Sequence, residues 1–115
     1  MASEKFEEGL KIRKEVVGEE YVNNSLKNAD ELTMPLQELV TEYCWGSVWS
    51  RDGLPRKTRS LLNLVMLTAL NRPHELRLHL VGAINNGCSK EEIMEALLQT
   101  AIYCGVPAAI DSTKI

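Results

Sequence analysis

The chain has 115 residues, 44% of them hydrophobic and 25% charged, with a net charge of −3. These fractions are ordinary for a soluble globular domain and exclude a disordered tail, and one domain is the natural count at this length. The acidic balance argues against a general nucleic-acid binder, and no window approaches the roughly 18 apolar residues of a membrane span. The start, MASEKFEEGL, lacks a signal peptide's basic-then-apolar pattern, so a cytoplasmic address is the default. Cys44, Cys88 and Cys104 are odd in number and contain no C-x-x-C, which argues against disulfides, a zinc site or a dithiol centre. They read as small buried hydrophobes.

In chain order, the first element is an amphipathic helix from Ser3 to Val17, with Phe6, Leu10, Ile12, Val16 and Val17 apolar and Gly18 as its stop. A shorter piece covers Glu19 to Lys27, weakened by Asn23-Asn24. Thr33 then offers a cap, and Pro35 a first turn, for a helix that would bury Leu36, Leu39, Val40 and Tyr43 and end before Gly46. Gly46 to Pro55 reads as a loop with a turn at Asp52-Gly53. From Pro55 to Arg72 runs a helix apolar almost all round, which needs burial inside the domain or between subunits. Pro73 opens a further helix closed by Gly87. The capping box Ser89 to Glu92 starts the last one, and Gly105 with Pro107 reads as its stop. The pattern is all-α. So short a chain has trouble burying its most apolar helix alone, and a symmetric homo-oligomer is the expectation.

Both histidines lie in the helix after Pro73. His74 and His79 are about 140° apart around its axis and cannot form an i,i+4 metal pair. Glu75 and His79 are i,i+4 and share a face, with Arg72 just before the helix. Such a trio suits general acid–base work beside an anionic substrate, the arginine holding a carboxylate. A solvated polar stripe is the plainer alternative. Arg59 and Asn63, one turn apart in the preceding helix, either reach water or line a pocket. Trp45 and Trp49 either roof a pocket for a flat ring or pin their segment to the core. Tyr103 sits at the end of the capping-box helix. No P-loop, G-x-G-x-x-G, G-x-S-x-G or H-E-x-x-H is present.

The runs WGSVWSRDGLPRKTRSLL, ALNRPHELRLHLVGAINNG, SKEEI and LLQTAIYCGVPAA, with the opening GLKIRKEVVGEEYVNNSL, resemble the carboxymuconolactone decarboxylase family in one colinear order. The resemblance is closest to its members that act on 4-carboxymuconolactone in protocatechuate catabolism, the β-ketoadipate pathway. It implies a small all-helical bundle of the alkylhydroperoxidase-like type, assembled as a homotrimer or homohexamer. It also implies a cofactor-free decarboxylation that leaves 3-oxoadipate enol-lactone and CO₂. The lactone supplies its own electron sink, so neither a metal nor an organic cofactor is required. His79, Glu75 and Arg72 are then the catalytic candidates, and Arg59, Asn63, Trp45, Trp49 and Tyr103 the substrate-binding ones. In peroxidase relatives a C-x-x-C precedes the histidine; its two positions fall here on Arg72 and Glu75, and the upstream glutamate falls near Ser60. A thiol peroxidase and a non-catalytic binding protein on the same scaffold are the alternatives. Family chains continue past VPAA into another helix with a polar residue after the second alanine, whereas Ile110 follows here and the chain is expected to be one helix short.

Overall fold

Helices are the only regular secondary structure in the computed structural model, which describes residues 3–115. They group into two compact units, one running to Leu54 and the other from Pro55 to Ile115.

In the first unit, α1 (Glu4–Val17) starts at Ser3, whose hydroxyl accepts the Phe6 N–H at 3.0 Å and donates to Glu42 Oε2 at 2.8 Å. It stops at Gly18, with φ at +100°, a backbone that L side chains rarely adopt. α2 (Glu19–Lys27) follows at once and accommodates both asparagines. α3 (Met34–Leu39) then continues as a π-helix (Val40–Val48), in which the Trp49 N–H reaches the Cys44 carbonyl, five residues back, at 3.0 Å. Thr33 precedes α3 without capping it through its side chain. Its hydroxyl instead accepts the Asp30 N–H and donates to Asp30 Oδ1, closing the preceding turn.

Gly46 does not end a helix as the sequence led us to expect. A Cβ there would fall on the Lys5 carbonyl oxygen, and one on Gly9 would fall on the Thr41 carbonyl oxygen and lie 2.6 Å from the Gly46 nitrogen. α1 and the π-helix therefore meet backbone to backbone, and only glycine fits. The looser π period turns Thr41, Trp45 and Gly46 inward. Leu36, Leu39 and Tyr43, expected in the core, are instead 58%, 59% and 67% exposed, and Val40 is half-buried. Arg13 is buried in their place and donates through Nη1 to Gln37 Oε1 and Thr41 Oγ1, both at 3.0 Å.

The second unit contains α4 (Arg56–Ala69), α5 (Pro73–Asn85), α6 (Lys90–Cys104) and α7 (Val106–Thr113). Leu64, Leu76, Ala83 and Cys88 form its core, flanked by Leu61, Leu67, Leu80 and Ile93. Each fully buried leucine contributes about 2 kcal/mol of hydrophobic free energy. The α4–α5 turn is short: Asn71 takes the left-handed conformation at φ +58°, which asparagine tolerates, and the Arg72 N–H returns to the Leu67 carbonyl at 3.0 Å. The capping box of α6 is complete, and Glu92 also pairs with Lys57 of α4 at 2.9 Å.

Gly105 ends α6, as expected, but α7 begins immediately after it. Pro107 lies in the first turn, where its missing N–H has no helical partner to lose, so the stop signal also works as a start. Ser112 of α7 donates to Thr68 of α4 at 2.9 Å in the interior. α4 is less enclosed than its composition implied, with Leu62 and Met66 46% and 50% exposed and Leu70, just past its end, 64% exposed. Ile102 of α6 is exposed as well. Of the cysteines only Cys88 is buried; Cys44 is half-buried and Cys104 exposed, because its position at the end of α6 turns it outward.

Candidate active site

The chemistry of the second unit concentrates where α4 packs on α5. Asn63 of α4 brings its Nδ2 to 3.4 Å from Nδ1 of His79 on α5. Nearer the start of α4 and just past the end of α5, Asn86 donates through Nδ2 to the buried Ser60 hydroxyl at 2.8 Å and approaches the Arg56 carbonyl at 3.4 Å. Two amide contacts thus tie the helices together through side chains rather than by apolar packing alone. His79 is half-buried, and loss of water around the ring holds its pKa below the ordinary 6.5, with the nearby Glu75 charge opposing that shift. Burial thus favours the neutral imidazole.

Glu75 lies one turn before His79, on an exposed part of α5, and acts on it through charge. Arg59, one turn before Asn63, is half-buried with its Nε enclosed. Arg72 precedes α5 and is exposed. It lines a cavity of about 470 Å³ together with Leu67, Asn71, Leu76, Asp111 and Lys114, and the lining of this cavity includes neither His79 nor Arg59. Tyr103 is 79% exposed near the end of α6. Trp45 and Trp49 belong to the first unit, where both are buried and stack on each other at 4.7 Å.

The structure therefore joins Asn63 to His79, a contact between helices that i,i+4 spacing within one helix does not reveal. The three-residue turn between the helices was the available signal, because it forces them to run back along one another. The buried Arg13 network and the Ser60–Asn86 bond also went unread. Among the described residues, no three His, Cys, Asp or Glu side chains gather to hold a metal ion, and no helix is long and apolar enough to cross a membrane. Burial raises the thiol pKa of both Cys44 and Cys88, which disfavours the thiolate that peroxidase chemistry needs.

The model of the carboxymuconolactone decarboxylase family matches residues 35–115, a stretch that holds the whole α4–α5 seam. This chain belongs to that family. It is 53% identical over 107 residues to a nitrosuccinic acid decarboxylase of Metarhizium robertsii, covering 93% of this chain and 75% of that one. It is 44% identical over 106 residues to a 4-carboxymuconolactone decarboxylase of Acinetobacter baylyi, covering 92% of this chain and 79% of the relative. An uncharacterized 15.0 kDa protein of Paracoccus denitrificans is 37% identical over 93 residues.

Proposed function

We propose that this chain is a cofactor-free carboxy-lyase acting on a small dicarboxylic acid whose departing carboxylate is conjugated to an oxygen-terminated electron sink. Its similarity, along nearly all its length, to two relatives named as decarboxylases carries the reading. Their named acids share one chemical logic. In 4-carboxymuconolactone the electrons left by CO₂ pass through the ring double bond into the lactone carbonyl. In nitrosuccinate they pass directly into the nitro group. Each acid keeps a second carboxylate, and each carbanion needs one proton on carbon.

The protein must hold the spared carboxylate, stabilise the developing oxyanion and deliver that proton. Arg59, one turn from Asn63 on α4, is the cation for the first two tasks, whereas Arg72 opens onto a cavity that His79 does not line and is the weaker candidate. His79, with Glu75 one turn away, is the proton donor. Burial favours the neutral ring, and the negative charge of a dianionic substrate beside it would raise its proton affinity and favour the imidazolium. The acid is 4-carboxymuconolactone in the first reading, with turnover to 3-oxoadipate enol-lactone in protocatechuate catabolism. The 53% identity to a nitrosuccinic acid decarboxylase favours a second reading, in which the acid is nitrosuccinate. The exposed apolar side chains of α3, α4 and α6 support assembly with further copies of the chain, as a homotrimer or homohexamer.

Supplying both acids to the purified protein tests the proposal. Ultraviolet absorbance follows loss of the lactone, and carbon-13 resonance follows CO₂ from carboxyl-labelled nitrosuccinate. Turnover of either is expected to persist after thiol blocking. Failure to decarboxylate either acid would overturn the reading.

A further inference from the structure

We infer that Asn63 is a positioning residue for His79: it holds Nδ1 of the ring so that Nε2 is the nitrogen presented to substrate. This inference rests on the assignment of His79 as proton donor and gives Asn63 a task other than binding substrate.

Asn63 Nδ2 lies 3.4 Å from His79 Nδ1, at the long end of hydrogen-bonding range, as is common for catalytic contacts before substrate binds. In the neutral ring one nitrogen carries the proton and the other a lone pair. An amide N–H pointing at Nδ1 pairs with a lone pair there, which leaves the proton on Nε2. When the ring is charged, both nitrogens carry protons, and the Asn63 amide need only turn over for Oδ1 to accept from Nδ1. An amide is thus suited to grip the same ring nitrogen before and after protonation. A carboxylate only accepts, and an aliphatic chain does neither. The ring orientation then survives the proton cycle, in which Nε2–H of the imidazolium gives its proton to the substrate carbon and leaves a neutral ring with its proton on Nδ1. Exchange with solvent restores the starting tautomer.

Anchoring comes from two different helices. Asn63 belongs to α4 and His79 to α5, and the neighbouring Asn86–Ser60 bond at 2.8 Å fixes the same pair of helices on one another. The partial burial of His79 limits the water that would otherwise compete for Nδ1.

The test is nitrogen-15 resonance of histidine-labelled protein, read above the titration of His79, together with steady-state kinetics on whichever acid turns over. The wild-type ring is expected to be in the Nε2–H form. In Asn63→Asp the acceptor-only carboxylate draws the proton to Nδ1 and the tautomer inverts. In Asn63→Leu, close in volume and unable to hydrogen-bond, the two tautomers mix and kcat falls about ten- to a hundredfold with KM little changed. A wild-type ring protonated on Nδ1, or a tautomer indifferent to both substitutions, would overturn the inference. If the tautomers respond as described but neither acid is consumed, the positioning stands and the decarboxylase reading fails.

Discussion

Each unit places a hydrogen-bonding cationic or potentially cationic side chain inside its helices, but of different chemistry. The first buries Arg13, permanently charged, with Gln37 and Thr41 each accepting a hydrogen bond at 3.0 Å. The second half-buries His79, which titrates, and meets its Nδ1 with an amide able to serve either protonation state. The helices also approach each other differently. α1 and the π-helix touch through Gly9 and Gly46 with no room for a Cβ, whereas α4 and α5 are spaced by side chains long enough to hold a seam of amides. A glycine-tight contact defines a scaffold, while a contact spaced by side chains leaves room for chemistry.

The sharpest way to break this contrast is Gly9→Ala. Its Cβ meets the π-helix backbone at both Thr41 and Gly46, so the first unit is expected to lose about 3 kcal/mol or more. Both tryptophans of the chain lie in that unit, so their fluorescence in a urea melt reports it directly; an unshifted midpoint would contradict the close approach. His79→Ala should lower kcat by at least about a hundredfold while leaving that melt unchanged, and near-normal turnover would remove His79 from the chemistry. Arg13→Met, which strips a donor from Thr41 and Gln37, is expected to destabilise the first unit by about 2 kcal/mol without changing kcat per folded molecule.

Smaller effects probe the second unit. Ser89→Ala removes the serine hydroxyl that accepts the Glu92 N–H in the capping box and should cost about 1 kcal/mol, seen as faster amide exchange at the start of α6. The smallest effect is linked to pH. Because the folded pKa of His79 lies below its unfolded value of 6.5, the unfolded chain binds more protons between those two values. The contribution of His79 to stability therefore declines as pH falls through that window and is fully present above it. His79→Gln should flatten this slope, and an unaltered slope would place the titration elsewhere.

Much of the second unit was legible because its punctuation is local. The S-x-x-E pattern at Ser89, the proline at position 73 and Gly105 mark boundaries that hydrogen bonds over three or four residues enforce. The first unit was read less well where its determinants are distant. Gly46 resembles a helix stop until Lys5 is brought against it, and nothing near Gly46 in the chain announces that. The π period then misdirected the assignment of Tyr43, since a 3.6-residue wheel rotates it onto the wrong face; Leu36 and Leu39 lie in the α-helical turns before it and are exposed all the same. Within the candidate site, Glu75 and His79 were found by spacing along one helix. The role of Asn63 was hidden because its partner is 16 residues away on another helix.

The short turn at Asn71 makes the separation of Asn63 and His79 a property of chain length as much as of chemistry. With a few residues between α4 and α5, one of them in a left-handed conformation, there is little slack to absorb an added or lost residue. A single insertion propagated into α5 would turn His79 by about 100° and move it about 1.5 Å along the axis, carrying Nδ1 away from the amide with every functional side chain still present. Deletions and insertions at this turn should therefore be as damaging as substitutions in the site itself.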